Sequence, residues 1–243
     1  MNSISIIRDV VSRIPAVLPH LRGRARWIAS AHVGAEEYKT ADQMQGRIEN
    51  LVKALYKGTI TAAAFVDSMA ALISRQITLA YREAWNDEGD GGKIPDYLTS
   101  ASDEAILAQF DFVDQYARDI VDASIDKTPI DPLLSRAALW ANRYTENYNN
   151  AVALIALQNG GKLEWVEGDT EEKCDKCKSL DGIVAYASEW MELGLQPQNA
   201  PNEHLKPSGD KTGCSGWKCQ CGLEPTDKRR TKNAIEKIRG IIK

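Results

Sequence analysis

All five cysteines of this 243-residue chain, Cys174, Cys177, Cys214, Cys219 and Cys221, lie in its C-terminal third. The segment around them, 162–227, is polar and loop-rich, and its stretch LGLQPQNAPNEHLKPSGDKTGCSG is dense in proline, glycine and asparagine. About sixty residues of that composition hold too little apolar material to fold by themselves. They need a cross-link, and the chemistry of that cross-link constrains everything else about the fold.

The rest of the chain chooses between a disulfide and a metal. Its N-terminus, MNSISIIRDVVSRIPAVLPHLRGR, is broken by charges and two prolines and offers no compact apolar stretch of a secretory signal. Thiols in a chain that is not exported are expected to stay reduced, and an odd count leaves one over in any disulfide scheme. Metal is therefore the expected use. Cys174 and Cys177 form C-x2-C, in which a tight turn lets both thiolates reach one ion. Cys214, Cys219 and Cys221 supply a second pair with one to spare. Joining the pairs closes a loop of roughly forty residues, the kind a cross-link stabilises best in principle. Structural zinc sites are tetrahedral and closed, and their binding energy becomes folding energy. Thiolate ligands with no redox context favour zinc over iron.

Alternatives stand beside this reading. The cysteines could be buried thiols without metal, or a thioredoxin-like pair. The latter wants a buried strand immediately upstream, which EGDTEEKCDKC does not offer. Lys173, Lys176, Lys178 and Lys218 read either as charges that favour thiolate or as ordinary surface lysines. His204 is either a further ligand or an exposed loop histidine. Trp165, Trp190 and Trp217 read as a small core against the metal, or else as a stacking surface for bases.

The preceding two thirds are helical by periodicity. Met44, Ile48, Leu51, Val52 and Leu55 line one face from Ala41 until Gly58, a C-terminal stop. From Thr61, the run Phe65, Met69, Leu72, Ile73, Ile77, Ala80, Tyr81, Ala84 and Trp85 keeps steps of three and four for six turns. Ser100 with Asp103 reads as a capping box opening a third helix through Ile106, Phe110, Val113, Ala117, Ile120 and Val121. Asp131 before Pro132 opens a fourth, which runs past Trp140, Tyr144, Tyr148 and Ile155 to the NGG at 159–161. After Gly161 the texture changes, and KLEWVEGD, GIVAYAS and CQCGLEP read as short strands. The final DKRRTKNAIEKIRGIIK places Ile235, Ile238, Ile241 and Ile242 on one face of a basic helix.

Net charge is −4, which argues against a protein built mainly to coat nucleic acid. The ends are nonetheless basic: Arg8, Arg13, Arg22, Arg24 and Arg26 at one, Lys228, Arg229, Arg230 and Lys232 at the other. They read either as arms for a polyanion or as solvated helices. The N-terminal segment is also weakly amphipathic through Ile7, Val10, Val11, Ile14, Val17, Leu18 and Leu21, though Pro15 and Pro19 bend or end any helix there. No run of eighteen apolar residues exists to span a membrane. Hydrolytic metal templates fail: a zinc deaminase wants proline where Lys173 stands, and no H-E-x-x-H occurs. With histidine only at 20, 32 and 204, no nucleophile–base pair is evident either.

WVEGDTEEKCDKCKSLDGIVAYASEW, followed by CSGWKCQCGLEPTD, resembles the C-terminal module of phage head morphogenesis proteins. These are the minor capsid proteins related to the F protein of phage Mu. Trp165, Asp169, Thr170, Cys174, Cys177, Leu180, Gly182, Cys219 and Cys221 match the family pattern, and LVKALYKGTITAAAFVDSMAALISRQITLAYREAW is similar to its helical half. Many members close the motif with histidine; here Cys214 stands in its place with longer spacing. The resemblance implies Cys174, Cys177 and Cys219 as three ligands, with Cys214 ahead of Cys221 for the fourth. It implies a structural protein and no reaction, a few copies inside the phage head beside the portal, aiding assembly or DNA delivery.

The expected fold is mainly α: a four-helix-type body at 41–161 followed by a small irregular α+β module at 162–227, stapled by zinc. A basic arm precedes it at 1–40, and a basic helix or tail follows at 228–243. The expected function is a structural minor head protein of a tailed phage or prophage, inside the virion and in the host cytoplasm during assembly. Its expected partners are the portal, other capsid components and packaged DNA, the last met through Arg22, Arg24, Arg26, Lys228, Arg229, Arg230 and Lys232 without sequence preference. An intracellular zinc module that binds nucleic acid and an enzyme with a structural zinc are the competing classes. Against the first stand Asp169, Glu171, Glu172, Asp175 and Asp181, which make the module mixed or acidic.

Overall fold

A computed structural model describes residues 39–141, 143–168, 175–197 and 220–242. It is mainly helical with one small antiparallel sheet, as the periodicities require. Helix α1 spans Ala41–Tyr56 and α2 Ala62–Glu88. Threonine opens both: the Gln43 N–H donates to Thr40 Oγ1 at 3.3 Å and the Ala64 N–H to Thr61 Oγ1 at 3.2 Å. Gly58, at φ +71, ends the first, and a left-handed residue there is what glycine permits cheaply.

Helix α2 is the spine, because its apolar positions extend around much of its circumference. It packs on α1, on α3 (Asp96–Leu107), on α4 (Phe110–Asp126) and most extensively on α6 (Arg143–Gln158). Helix α5 (Asp131–Ala141) covers α1. The aromatic centre of the body is Tyr116, edge-on to Phe65 at 5.8 Å and stacked on Trp140 at 5.0 Å. The Arg136 guanidinium covers Tyr116 at 4.7 Å, and the phenol donates to the Leu133 carbonyl.

The body differs from the expected segmentation in two places. The third helix begins at Asp96, not Ser100, because the Leu98 and Thr99 amides reach the Pro95 carbonyl at 3.1 Å. It then breaks at 108–109, where the Gln109 N–H bonds Ile106 in a tightened turn. No glycine or proline marks that break, so periodicity reads through it. The turn lets α3 face α2 and α6 while α4 faces α1 and α2. The fourth expected helix is helical on both sides of residue 142, as α5 and α6, and ends at Gln158 before the NGG.

All three expected strands are present: β1 (Lys162–Val166), β2 (Val184–Tyr186) and β3 (Gly222–Pro225). They lie in the order β2-β1-β3, antiparallel, with Leu163 opposite Ala185 and Trp165 opposite Leu223. Short helices α7 (Asp175–Leu180) and α8 (Ala187–Glu192) decorate the sheet, and α9 (Ala234–Ile242) packs on α7 and β2. Leu163 and Trp165 point inward, the alternation seen in the sequence. Body and module share one apolar core, since α6 touches β1, β3 and α8.

Candidate metal-binding module

Two of the five candidate ligands lie within the described residues, and both are interior. Cys177 is 2 % exposed on α7, one turn before the fully buried Leu180 on the same face. Cys221 is 7 % exposed at the entry to β3. Cys174, Cys214, Cys219, His204 and Trp217 fall outside the described residues. Among the described residues no three His, Cys, Asp or Glu side chains converge on one point.

What the structure does describe is how the Cys221 arm is held. After β1 the chain reaches Gly168, whose N–H donates to Cys221 Sγ at 3.4 Å. The approach is so close that a Cβ at 168 would stand 2.4 Å from the Gln220 carbonyl carbon. On the other side Asn149 of α6 donates its Nδ2 to the Cys221 carbonyl at 3.2 Å, which ties the helical body to this corner. A buried sulfur that accepts a backbone N–H suits a thiolate, and N–H donors to sulfur are among the means by which proteins tune metal-bound cysteines.

The turn between α7 and β2 is equally defined. Asp181 Oδ1 accepts the Glu167 N–H at 2.8 Å, the Gly182 N–H bonds the Trp165 carbonyl at 2.9 Å, and Gly182 itself sits at φ +73. Trp165 and Trp190 meet in the core at 5.7 Å between ring centres. Trp190 donates its indole N–H to the Leu163 carbonyl at 3.1 Å, whereas the buried Trp165 indole N–H has no acceptor. Both tryptophans thus lie in the core rather than on an exposed stacking surface.

The basic C-terminal residues are placed as follows. Lys228 Nζ pairs with Glu164 at 2.7 Å. Arg230 grips Glu189 with two nitrogens, Nε to Oε2 at 2.9 Å, and that hydrogen bond is the main reason the Glu189 carboxyl is held below its usual range. Thr231 is clamped to β2 through Val184, its N–H donating to the carbonyl at 2.9 Å and its Oγ1 accepting the amide. Arg229 and Lys232 are exposed. Arg22, Arg24 and Arg26 lie outside the described residues.

Residue-by-residue reading missed three positions that hold the module, two within it and one on the body. Gly168 and Asp181 stand beside the recognised pattern, where glycine next to a cysteine arm and aspartate before a turn glycine are usable signals. Asn149 gives none, because one asparagine among helical polar positions looks like surface. No family model, curated protein or solved structure matches the chain.

Proposed function

We propose that the chain is a structural minor head protein of a tailed phage or prophage, acting beside the portal in head morphogenesis, and that its module carries a structural zinc. The observation that carries this reading is the use made of the family-like residues. Trp165, Cys177, Leu180 and Cys221 are interior to one small fold, and Gly182 occupies its left-handed turn. A pattern of that kind is what a stapled scaffold needs. Burial and the Gly168 N–H support Cys221 among the ligands, with Cys174, Cys177, Cys219 and Cys214 as the rest of the candidate set. Bound zinc would contribute its binding energy to the folding of the module. DNA contact, in this reading, falls to Arg229 and Lys232 together with Arg22, Arg24 and Arg26, and weakens as salt rises.

The test combines metal analysis with assembly. Purified chain should hold about one zinc, and Cys174→Ser or Cys219→Ser should lose it together with the order of the module. Co-expression with the portal protein of the same genome should give a complex on size-exclusion chromatography. Folded, metal-free protein with five titratable thiols would remove the zinc; failure to meet portal or any capsid component would remove the head reading.

A further inference from the structure

Helices α2 and α4 meet through the buried edge contact of Phe65 with Tyr116 at 5.8 Å. The residues that follow these two, Val66 and Ala117, lie in the floor of an open groove of about 610 Å3 between the helices. Ala62 and Ala63 of α2 and Val121 of α4 complete that floor. Alanine predominates in it, so a helix laid along the groove can approach to the ordinary packing distance, about 8–10 Å between axes. Ile125, one turn beyond Val121 on the same face of α4, is 71 % exposed and continues the apolar stripe. From Asp114 to Ile125 the stripe measures about 16 Å, roughly three helical turns.

The rim is acidic on both sides. Asp67 stands on α2, Asp114 and Asp122 on α4, and all three are exposed. Among the described residues none of the three has an ion-pair partner, whereas Asp119, on another face of α4, is paired with Arg136. Arg118, the cation beside them, donates to Gln115 of its own helix at 3.2 Å. Exposed Asp111 and Asp126 carry the negative charge past both ends of the stripe. Charge and shape together decide the occupant. A nucleic acid would bring phosphates to these carboxylates, and a second copy offering the same face would set aspartate against aspartate. We propose that the groove between α2 and α4 docks an amphipathic helix of a partner protein, one whose apolar stripe is flanked by lysine or arginine. The large apolar side chains of that helix enter the space above the alanines, as in other helix-in-groove contacts. Its cations run along both edges, with their aliphatic stems against Val66 and Val121 and their heads on the three aspartates. The groove is lined by α2 and α4 alone, so docking there depends neither on the C-terminal module nor on its metal.

The experiment is fluorescence anisotropy with the full chain and three labelled peptides of about 14 residues, roughly four helical turns. The first carries leucine at helical steps of three and four, lysine on both flanks and alanine elsewhere. The second has glutamate for lysine, and the third has the composition of the first in scrambled order. The native chain should bind the first and neither of the others. Exposed ion pairs are each worth a factor of roughly two to five, so the triple variant Asp67→Lys, Asp114→Lys, Asp122→Lys should bind the lysine peptide about tenfold or more weakly. It should take up the glutamate peptide instead. Ala63→Trp fills the floor from an exposed position and should weaken the lysine peptide while Tm holds. Should the triple variant fold poorly, Asp114→Asn with Asp122→Asn keeps the sign with a smaller effect. No binding of the first peptide, equal binding of the scrambled one, or equal affinity for native and charge-variant chains overturns the proposal. Loss of binding in the charge variants but not in Ala63→Trp also overturns it, as attraction without docking. Self-association of the native chain in sedimentation velocity that the triple variant abolishes would assign the groove to a second copy and overturn it as well.

Discussion

Replacing Gly168 by alanine strikes the contact that joins the two arms of the module. A Cβ there would stand 2.4 Å from the Gln220 carbonyl carbon and 2.7 Å from the Cys221 nitrogen. Carbon atoms in contact sit about 3.5–4.0 Å apart, so the strands of chain must separate by about 1 Å. Both atoms are backbone and cannot rotate aside. Overpacking of this kind costs about 1–3 kcal/mol. Weakening the Gly168 N–H bond to Cys221 Sγ and the Asn149 bond to the Cys221 carbonyl adds about 1 kcal/mol. A total of about 2–4 kcal/mol corresponds to a fall in Tm of roughly 5–15 °C for a chain of this size. Calorimetry should show it; if the module holds the zinc proposed for it, elemental analysis should also show less retained, because the sulfur of Cys221 moves with its backbone. Gly182→Ala is the control. Gly182 is at φ +73 with no atom within 4 Å of a built Cβ, so alanine there costs only the left-handed strain, about 1–2 kcal/mol. A Gly168→Ala protein whose Tm falls no further than that of Gly182→Ala, with metal content unchanged, would refute the reasoning.

Two further outcomes follow from the module's interior. Trp190→Phe removes the donor to the Leu163 carbonyl, whereas Trp165→Phe removes a buried N–H that has no acceptor. Urea unfolding should therefore find Trp190→Phe costlier by about 1–2 kcal/mol, although both rings are similarly buried. The Glu189–Arg230 pair contributes in a pH-dependent way. Because the Arg230 hydrogen bond depresses the Glu189 carboxyl in the folded chain, its contribution is complete above the ordinary glutamate range and is lost as pH falls through the lowered value. Glu189→Gln should cost about 1–2 kcal/mol at pH 7, and its Tm should decline less steeply than the native chain's as the solution is acidified through and below the ordinary glutamate range.

Much of this fold is legible from side-chain order alone. The stripes Met44–Ile48–Val52–Leu55 and Phe65–Met69–Ile73–Ile77 declare their helices because burial on one face is a local, repeating demand. Threonines 40 and 61 mark helix starts by a bond formed within three residues. Leu163 and Trp165 announce a strand for the same reason, with a period of two. The break at 108–109 is different. No residue there forbids a helix, and the turn exists because α3 and α4 must face different neighbours.

The candidate site divides along the same line. Sequence by itself determined that the cysteines crowd one polar segment, that three short strands flank them and that a basic amphipathic helix closes the chain, since spacing and composition are properties of neighbours along the chain. Only the tertiary structure decided that Asn149 of the body reaches Cys221, that Gly168 must lack a side chain, and that Lys228 and Arg230 are paired with Glu164 and Glu189. Those contacts join residues forty or more positions apart. Which carboxylate neutralises which cation across such a gap is settled by the packing of the sheet and helices that carry them.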